Sequence, residues 1–185
     1  INLGGTLTIK SGTINASASK SLGGTDDGKV SGILIGTNGT LLVTGGDITA
    51  SGTKAGRNTR YGMYVRGRFI MTGGEMKVIG NDCQGLYTIG QFELSGGEMA
   101  VSSKAGLLGF VANGNSTVIN APGTLTVDIL DIAPGKTVTV KENATLTVDG
   151  VKLEKGSTLI NNGNLTVNRE VDDRDGGTLE NNGTI

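Results

Sequence analysis

The chain has 185 residues, with 33 Gly, one Cys, and neither His nor Trp. Without His, catalytic Ser-His-Asp and Cys-His groups and His-ligated zinc sites are excluded. The 16 Lys and Arg residues nearly balance the 17 Asp and Glu residues, which argues against a nucleic-acid partner. No apolar run reaches the length of about 18 residues that membrane insertion needs, and the single Cys83 excludes an internal disulfide.

Four segments in the N-terminal part of the chain align without a gap. They cover residues 5–17, 39–51, 67–79 and 90–102. Each contains alternating apolar residues, then a glycine turn, then a second alternating stretch, which is typical of two short strands around a corner. A third apolar segment follows each of them, at residues 31–36, 61–67, 84–90 and 105–111. The sequence therefore predicts three strands per repeat.

The repeats place apolar residues in three columns that continue through the C-terminal part of the chain. The first column is Leu7, Leu41, Phe69, Phe92, Val118, Val138, Leu159 and Leu179. The second column is Ile14, Ile48, Met76, Met99, Leu125, Leu146, Leu165 and Ile185. The third column is Ile33, Met63, Leu86, Leu107, Leu130, Val151 and Val171. These columns are predicted to line the interior of the protein.

A short strand buries little by itself, but three strands wound into a coil and stacked at about 4.8 Å enclose a continuous apolar interior. Parallel crossovers are right-handed in almost all proteins. The predicted fold class is therefore all-β, a right-handed parallel β-helix of about eight three-strand coils in a single domain over residues 1–185. Asn161 and Asn162 recur as Asn181 and Asn182, and stacked Asn side chains can hydrogen-bond along such a ladder.

The two parts of the chain differ in loop length and in charge. The segments between the second and third columns are longest at residues 17–30 and 51–60. Residues 1–110 carry 10 Lys and Arg against 7 Asp and Glu, whereas residues 111–185 carry 6 against 10. Because insertions at one corner of a solenoid commonly build its binding face, we expect looped, decorated coils in 1–110 and tight spacer coils in 111–185. Both ends fall inside repeats, so we expect the chain to be a fragment of a longer one.

Alternation along the third strands predicts an outward stripe formed by Leu34, Tyr64, Tyr87 and Leu108. The two tyrosines would lie near three basic residues, Arg57, Arg60 and Arg66. Aromatic platforms beside charged groups suit sugars, and the guanidinium fork suits carboxylates. The sequence therefore predicts a carbohydrate-binding site made of these two tyrosines and three arginines, suited to an acidic glycan. The alternative is that the long loops fold over the stripe and cover it.

Acidic residues form two further clusters. Asp47, Glu75 and Glu98 are predicted to stack on successive coils, with Lys77 near Glu75. Such carboxylates could bind Ca²⁺ or, together with a basic residue, serve a polysaccharide lyase or hydrolase, and calcium binding stays open. The alternative is a solvated turn with an ion pair, so no catalytic residue, metal or cofactor is assigned. The Asp-rich segment 172–175 lacks the spacing and the closing Glu of an EF-hand.

The phrases GTLTI, GGDITASG, YGMYV and GGEMKV and the closing Asn-Asn-Gly repeats resemble the Gly/Thr-rich right-handed β-helix proteins of bacterial cell surfaces. The resemblance covers the whole chain. It implies a pectate-lyase-like fold in a carbohydrate-binding or adhesin-like module, located extracellularly, at the cell surface or secreted. The expected function is a non-catalytic module that binds a polysaccharide or a host or cell-wall glycan. A β-helix polysaccharide lyase or hydrolase using Glu75, Glu98 and Lys77, and a passive structural stalk, are the alternatives.

Overall fold

A computed structural model describes residues 1–18, 30–53, 60–104 and 107–185 of the chain. Within this part the protein forms 18 strands and no α-helix. In chain order the strands are β1 (Asn2–Leu3), β2 (Thr6–Ile9), β3 (Thr13–Ala18), β4 (Val30–Ile35), β5 (Thr40–Val43), β6 (Asp47–Thr53), β7 (Arg60–Val65), β8 (Arg68–Asn81), β9 (Gln84–Thr88), β10 (Gln91–Ser103), β11 (Phe110–Ala112), β12 (Ser116–Ile119), β13 (Thr124–Ile132), β14 (Thr137–Val140), β15 (Thr145–Leu153), β16 (Thr158–Asn161), β17 (Asn164–Asp172) and β18 (Thr178–Asn181). The predicted all-β class is confirmed.

We call each three-strand coil of the β-helix a turn. Each strand pairs in parallel with the equivalent strand of the turn before it and of the turn after it. The first strands of the turns run from β2 to β5 and into the first part of β8. The second strands run from β3 to β6 and into the second part of β8, and the third strands run from β4 to β7 to β9. This pairing confirms the parallel β-helix. We call the corner between a third strand and the next first strand the third corner.

The corner between first and second strands is built on a repeated glycine. Gly46, Gly74 and Gly97 have φ angles of 88°, 88° and 78°, in the left-handed region that side chains with a Cβ avoid. The parallel register then places the residues that follow them, Asp47, Glu75 and Glu98, side by side on the outer surface.

The interior is apolar and closely packed. Three phenylalanines from the first and third columns stack along the axis, with ring centroids 5.1 Å apart for Phe69 and Phe92 and 5.2 Å apart for Phe92 and Phe110. All three are at most 1% exposed. Aromatic pairs in such geometry contribute about 0.5–1.5 kcal/mol beyond the burial of their area, so the contacts between these rings add to the stability of the core.

The predicted first column is wrong at Val118. Phe92 pairs with Thr117, and Thr117 in turn pairs with Val138. Thr117 is 2% exposed, whereas Val118 is half-buried on the outer side. A shift of one residue exchanges the faces of a strand, and the register observed here buries Ile119 completely. The burial of that isoleucine outweighs the burial of a threonine hydroxyl.

The predicted third column is wrong at Leu107. Its place between Leu86 and Leu130 is taken by Phe110, which pairs with both. Leu107 is 41% exposed, whereas Phe110 is fully buried. The larger aromatic surface of Phe110 and its contact with Phe92 explain why the inward position lies three residues later than predicted.

The predicted asparagine ladder is confirmed. Asn161 Nδ2 donates to Asn181 Oδ1 at 2.7 Å, and Asn182 Nδ2 donates to Asn162 Oδ1 at 3.1 Å. Asn161 is fully buried and its Oδ1 also accepts a hydrogen bond from the Gly163 amide. A buried amide of this kind is tolerated because its polar atoms are paired.

Candidate functional site

Three tyrosines cluster on the outer side of the third strands. Tyr64 pairs with Leu34 on one side and with Tyr87 on the other. The ring centroids of Tyr61, Tyr64 and Tyr87 lie 5.1 to 5.6 Å apart. Burial, and then the neighbouring Tyr87 and Tyr64, raise the pKa of Tyr61 to about 12. Tyr61 and Tyr64 are each 4% exposed, whereas Tyr87 is half-buried and its phenol oxygen accepts a hydrogen bond from Asn113 Nδ2 at 3.0 Å.

The outward stripe continues differently from the prediction. Val111, not Leu108, pairs with Tyr87, because the third strand of this turn begins at Phe110. Beyond Val111 the stripe becomes charged, with Asp131 followed by Lys152. The apolar stripe is therefore confined to the N-terminal turns.

The three arginines predicted for the site are described to different extents. Arg57 lies outside the described residues. Arg60 begins β7, but its side chain also lies outside the described part. Arg66 follows the end of β7 and is exposed at the third corner. The site formed by Tyr64, Tyr87 and the three arginines stays a prediction.

A polar groove with a volume of about 320 Å³ runs over the third corner beside Arg66. Seven side chains that can donate hydrogen bonds line it, namely Thr37, Asn38, Thr40, Arg66, Arg68, Gln91 and Asn115. Among the described residues that line it there is no Asp or Glu. We call it the third-corner groove. It has a positively charged, donor-rich wall.

Stacked glycines form the backbone below this groove. A methyl group on Gly67 would overlap the carbonyl oxygen of Gly39, and one on Gly90 would overlap that of Gly67. The same oxygens accept the amide hydrogens of Arg68 and Gln91, each at 2.9 Å. Glycine thus permits the close approach of neighbouring turns, and the side chains that flank each glycine are the ones that line the groove.

Arg68 belongs to a loose polar network beside the groove. Its Nη2 lies 3.8 Å from Glu93 Oε2, and the two side chains are 52% and 39% exposed. Glu93 Oε1 accepts a hydrogen bond from Ser95 Oγ at 2.7 Å, and Asn120 Nδ2 donates to the same hydroxyl at 3.0 Å. An exposed pair at this separation contributes little to stability, so the guanidinium of Arg68 remains available to a ligand.

The column of Asp47, Glu75 and Glu98 forms as predicted, on an exposed face. Lys77 Nζ lies 2.7 Å from Glu75 Oε1, and both side chains are more than half exposed. The hydrogen bond from Lys77 to Glu75 raises the pKa of this lysine, so it stays protonated and is a poor general base. Within the described residues no group of three or more His, Cys, Asp or Glu could hold a metal ion.

The Asp-rich segment near the C-terminus contains one ion pair, between Asp172 and Arg174. Arg174 Nε and Nη2 donate to the two carboxylate oxygens of Asp172 at 2.7 and 2.6 Å. This fork lowers the pKa of Asp172 to about 2. Because this geometry is bidentate, both carboxylate oxygens of Asp172 are occupied by a neighbouring residue of the same turn.

A second cleft, with a volume of about 410 Å³, opens between the second and third strands in the C-terminal turns. Its charged lining residues are Asp128, Asp149, Glu170, Asp172, Lys152 and Arg169. Asp128 Oδ2 accepts a hydrogen bond from the Ser103 amide at 2.6 Å, and Asp149 Oδ1 accepts one from Asn168 Nδ2 at 3.0 Å. These carboxylates therefore have structural partners within the protein.

Sequence reasoning missed Arg68, Gln91, Asn38 and Asn115 as groove residues. A signal was present, because Thr40, Arg68 and Gln91 each follow the glycine that opens a repeat. The position after that glycine is an outward position at the third corner.

No protein-family model, curated protein or solved structure matches this chain. In the part of the chain that the structure describes, no helix has the length and apolar character needed to cross a membrane.

Proposed function

We propose that this chain is a non-catalytic, adhesin-like module that binds polysaccharide outside the cell, at the cell surface or after secretion. The third-corner groove carries this proposal. It is open, it crosses several turns, and hydrogen-bond donors from successive turns line it in register. A repeating array of donors on a rigid scaffold suits a repeating chain of hydroxyl groups.

The tyrosine cluster adds limited support. Tyr87 is the most accessible of its three rings, and it lies on the third strand that leads into the third corner. An aromatic ring next to polar side chains is a common arrangement for sugar binding. Tyr64 is too buried to stack on a ligand unless its surroundings move.

Affinity electrophoresis of the purified chain in gels that contain different polysaccharides tests the proposal. We expect retardation with at least one polysaccharide, with no release of unsaturated or reducing sugars from it. The matched variant Lys77→Gln, on the exposed face away from the groove, should be retarded to the same extent.

If sugars are released, and if Lys77→Gln and Glu75→Gln each abolish this release, the result would instead support the lyase or hydrolase alternative. Unchanged mobility across neutral and acidic polysaccharides would refute the binding function and favour a passive stalk.

A further inference from the structure

The charge of the third-corner groove selects among possible polysaccharides. Arg66 and Arg68 lie two residues apart on either side of Gly67, and both are exposed. Among the described residues, no carboxylate lies within ion-pair distance of Arg66, and Arg68 has only the 3.8 Å contact with Glu93. Two guanidinium groups are therefore presented to solvent without a close partner in the part of the chain that the structure describes.

The C-terminal cleft provides an internal comparison. It is larger, but four carboxylates face two cations there, and three of the four (Asp128, Asp149 and Asp172) are engaged by neighbouring amides or by Arg174. An anion would be repelled from that cleft. The described lining of the third-corner groove instead presents two arginines and neutral side chains to the same anion, and the one carboxylate contact of its Arg68 is Glu93 at 3.8 Å.

The neutral side chains of the groove complement an acidic sugar. Gln91 and Asn38 present amide groups, and Thr37 presents a hydroxyl, all of which can bond the ring hydroxyls of a saccharide. Lys136 Nζ lies 3.4 Å from Asn115 Oδ1, which extends the positive charge along the axis toward the next turn.

We propose that the third-corner groove binds a polysaccharide that carries carboxylate groups, with Arg66 and Arg68 as the carboxylate-binding residues. The planar fork of a guanidinium matches the two oxygens of a carboxylate. This inference rests on the proposed polysaccharide-binding function and specifies the chemical class of its ligand and the residues that recognise it.

Isothermal titration with oligogalacturonate tests this assignment, with fully methyl-esterified oligogalacturonate, a neutral cello-oligosaccharide and dextran sulfate as the other ligands. We expect binding to oligogalacturonate that esterification abolishes and that weakens as salt rises, because exposed charges are screened. Arg66→Gln and Arg68→Gln should each weaken binding about tenfold, as expected for the loss of one charge-assisted contact.

Arg169→Gln is the matched control. It removes an exposed arginine from the C-terminal cleft and should leave the affinity unchanged. Thermal melting of each variant confirms that it is folded, which we expect because Arg66, Arg68 and Arg169 are exposed.

Three results would overturn the assignment while leaving the polysaccharide-binding function intact. They are equal affinity for the esterified or neutral oligosaccharide, binding to dextran sulfate alone, and full affinity of the folded Arg66→Gln and Arg68→Gln variants. An equal loss of affinity in Arg169→Gln would show that binding depends on the overall charge of the protein and not on Arg66 and Arg68. That result would also overturn the assignment. Absence of binding to any polysaccharide would remove the proposed function itself.

Discussion

Glycines and one buried carboxylate have structural consequences at the scale of single residues. Gly67 and Gly90 occupy positions where a methyl group would overlap a carbonyl oxygen of the preceding turn. Asp131 lies in the outward stripe but is only 8% exposed, and its Oδ1 has no hydrogen-bond partner among the described residues. Lys152 is the adjacent residue in the stripe, but its ammonium group pairs with Glu154.

Gly90→Ala is expected to destabilise the protein by about 1–3 kcal/mol, because the added methyl must push neighbouring turns apart. Chemical denaturation measures the change. Gly4→Ala is the matched control, since a methyl group there has no atom within 4 Å. Equal stability of the two variants would contradict the close approach at the third corner.

Asp131→Asn is expected to stabilise the protein at pH 7 by about 1 kcal/mol, because it removes a buried charge with an unpaired oxygen. Burial raises the pKa of Asp131 above its ordinary value of 3.8, opposed by Lys152 and aided by Glu154. The folded state therefore holds the proton more tightly than the unfolded state. Its contribution to stability is present below the unfolded pKa and is lost as pH rises through the folded pKa.

The gain from Asp131→Asn should thus shrink as the pH is lowered to 3. Urea unfolding at pH 3 and pH 7 checks this, with the exposed Asp173→Asn as the control. A benefit that is the same at both pH values would show that ionisation of Asp131 is not its cause.

At the scale of elements, register is decided by which side chains fill the interior between strands. In β12 the inward positions are Thr117 and Ile119, and within the described part of the chain Thr117 Oγ1 has no hydrogen-bond partner. The complete burial of the Ile119 side chain in this register compensates for the burial of the threonine hydroxyl. Between β16 and β18 the asparagine ladder adds side-chain hydrogen bonds to the backbone pairing.

Asn161→Ala is expected to destabilise the protein by about 1–3 kcal/mol, because buried partners lose their hydrogen bonds. Asn161 Nδ2 also donates to the Thr184 carbonyl at 3.0 Å, so the last turn should loosen as well. Amide hydrogen exchange at Gly163, whose N–H bonds to Asn161 Oδ1, should accelerate.

Asn182→Ala serves as the control, since its side chain is exposed and makes one hydrogen bond, at 3.1 Å. Its effect should stay within about 0.5 kcal/mol. If both variants lower the free energy of unfolding equally, the buried hydrogen bonds of Asn161 do not stabilise the protein more than the exposed one of Asn182.

At the scale of the whole molecule, turns contact mainly their neighbours, so stability builds up along the axis. Leu41 and Leu159 in the first column are at most 1% exposed, whereas Leu7 and Leu179 are half-buried. The phenylalanine stack lies in the turns that contain β8 and β10. The third-corner groove crosses these same turns.

For this chain we expect amide exchange to be slowest in β8 and β10 and faster in β2 and β18, because local opening follows packing. Hydrogen exchange measured by mass spectrometry resolves these segments. Uniform protection from β2 to β18 would contradict stability that builds up turn by turn.

The amino-acid sequence by itself determined the parallel β-helix, the three apolar columns at most positions, the stacking of Asp47, Glu75 and Glu98, and the asparagine ladder. All of these follow from a repeat whose period is visible in the residue types, since alternation and turn glycines are local signals. The tertiary structure alone decided the inward choice of Thr117 and Phe110, the burial of Tyr64 and the third-corner groove. The inward choices depend on which of two nearby side chains fills the interior better, and the groove depends on residues of different turns, more than twenty residues apart, coming together. A local sequence pattern contains neither the competition for the interior nor the contact between turns.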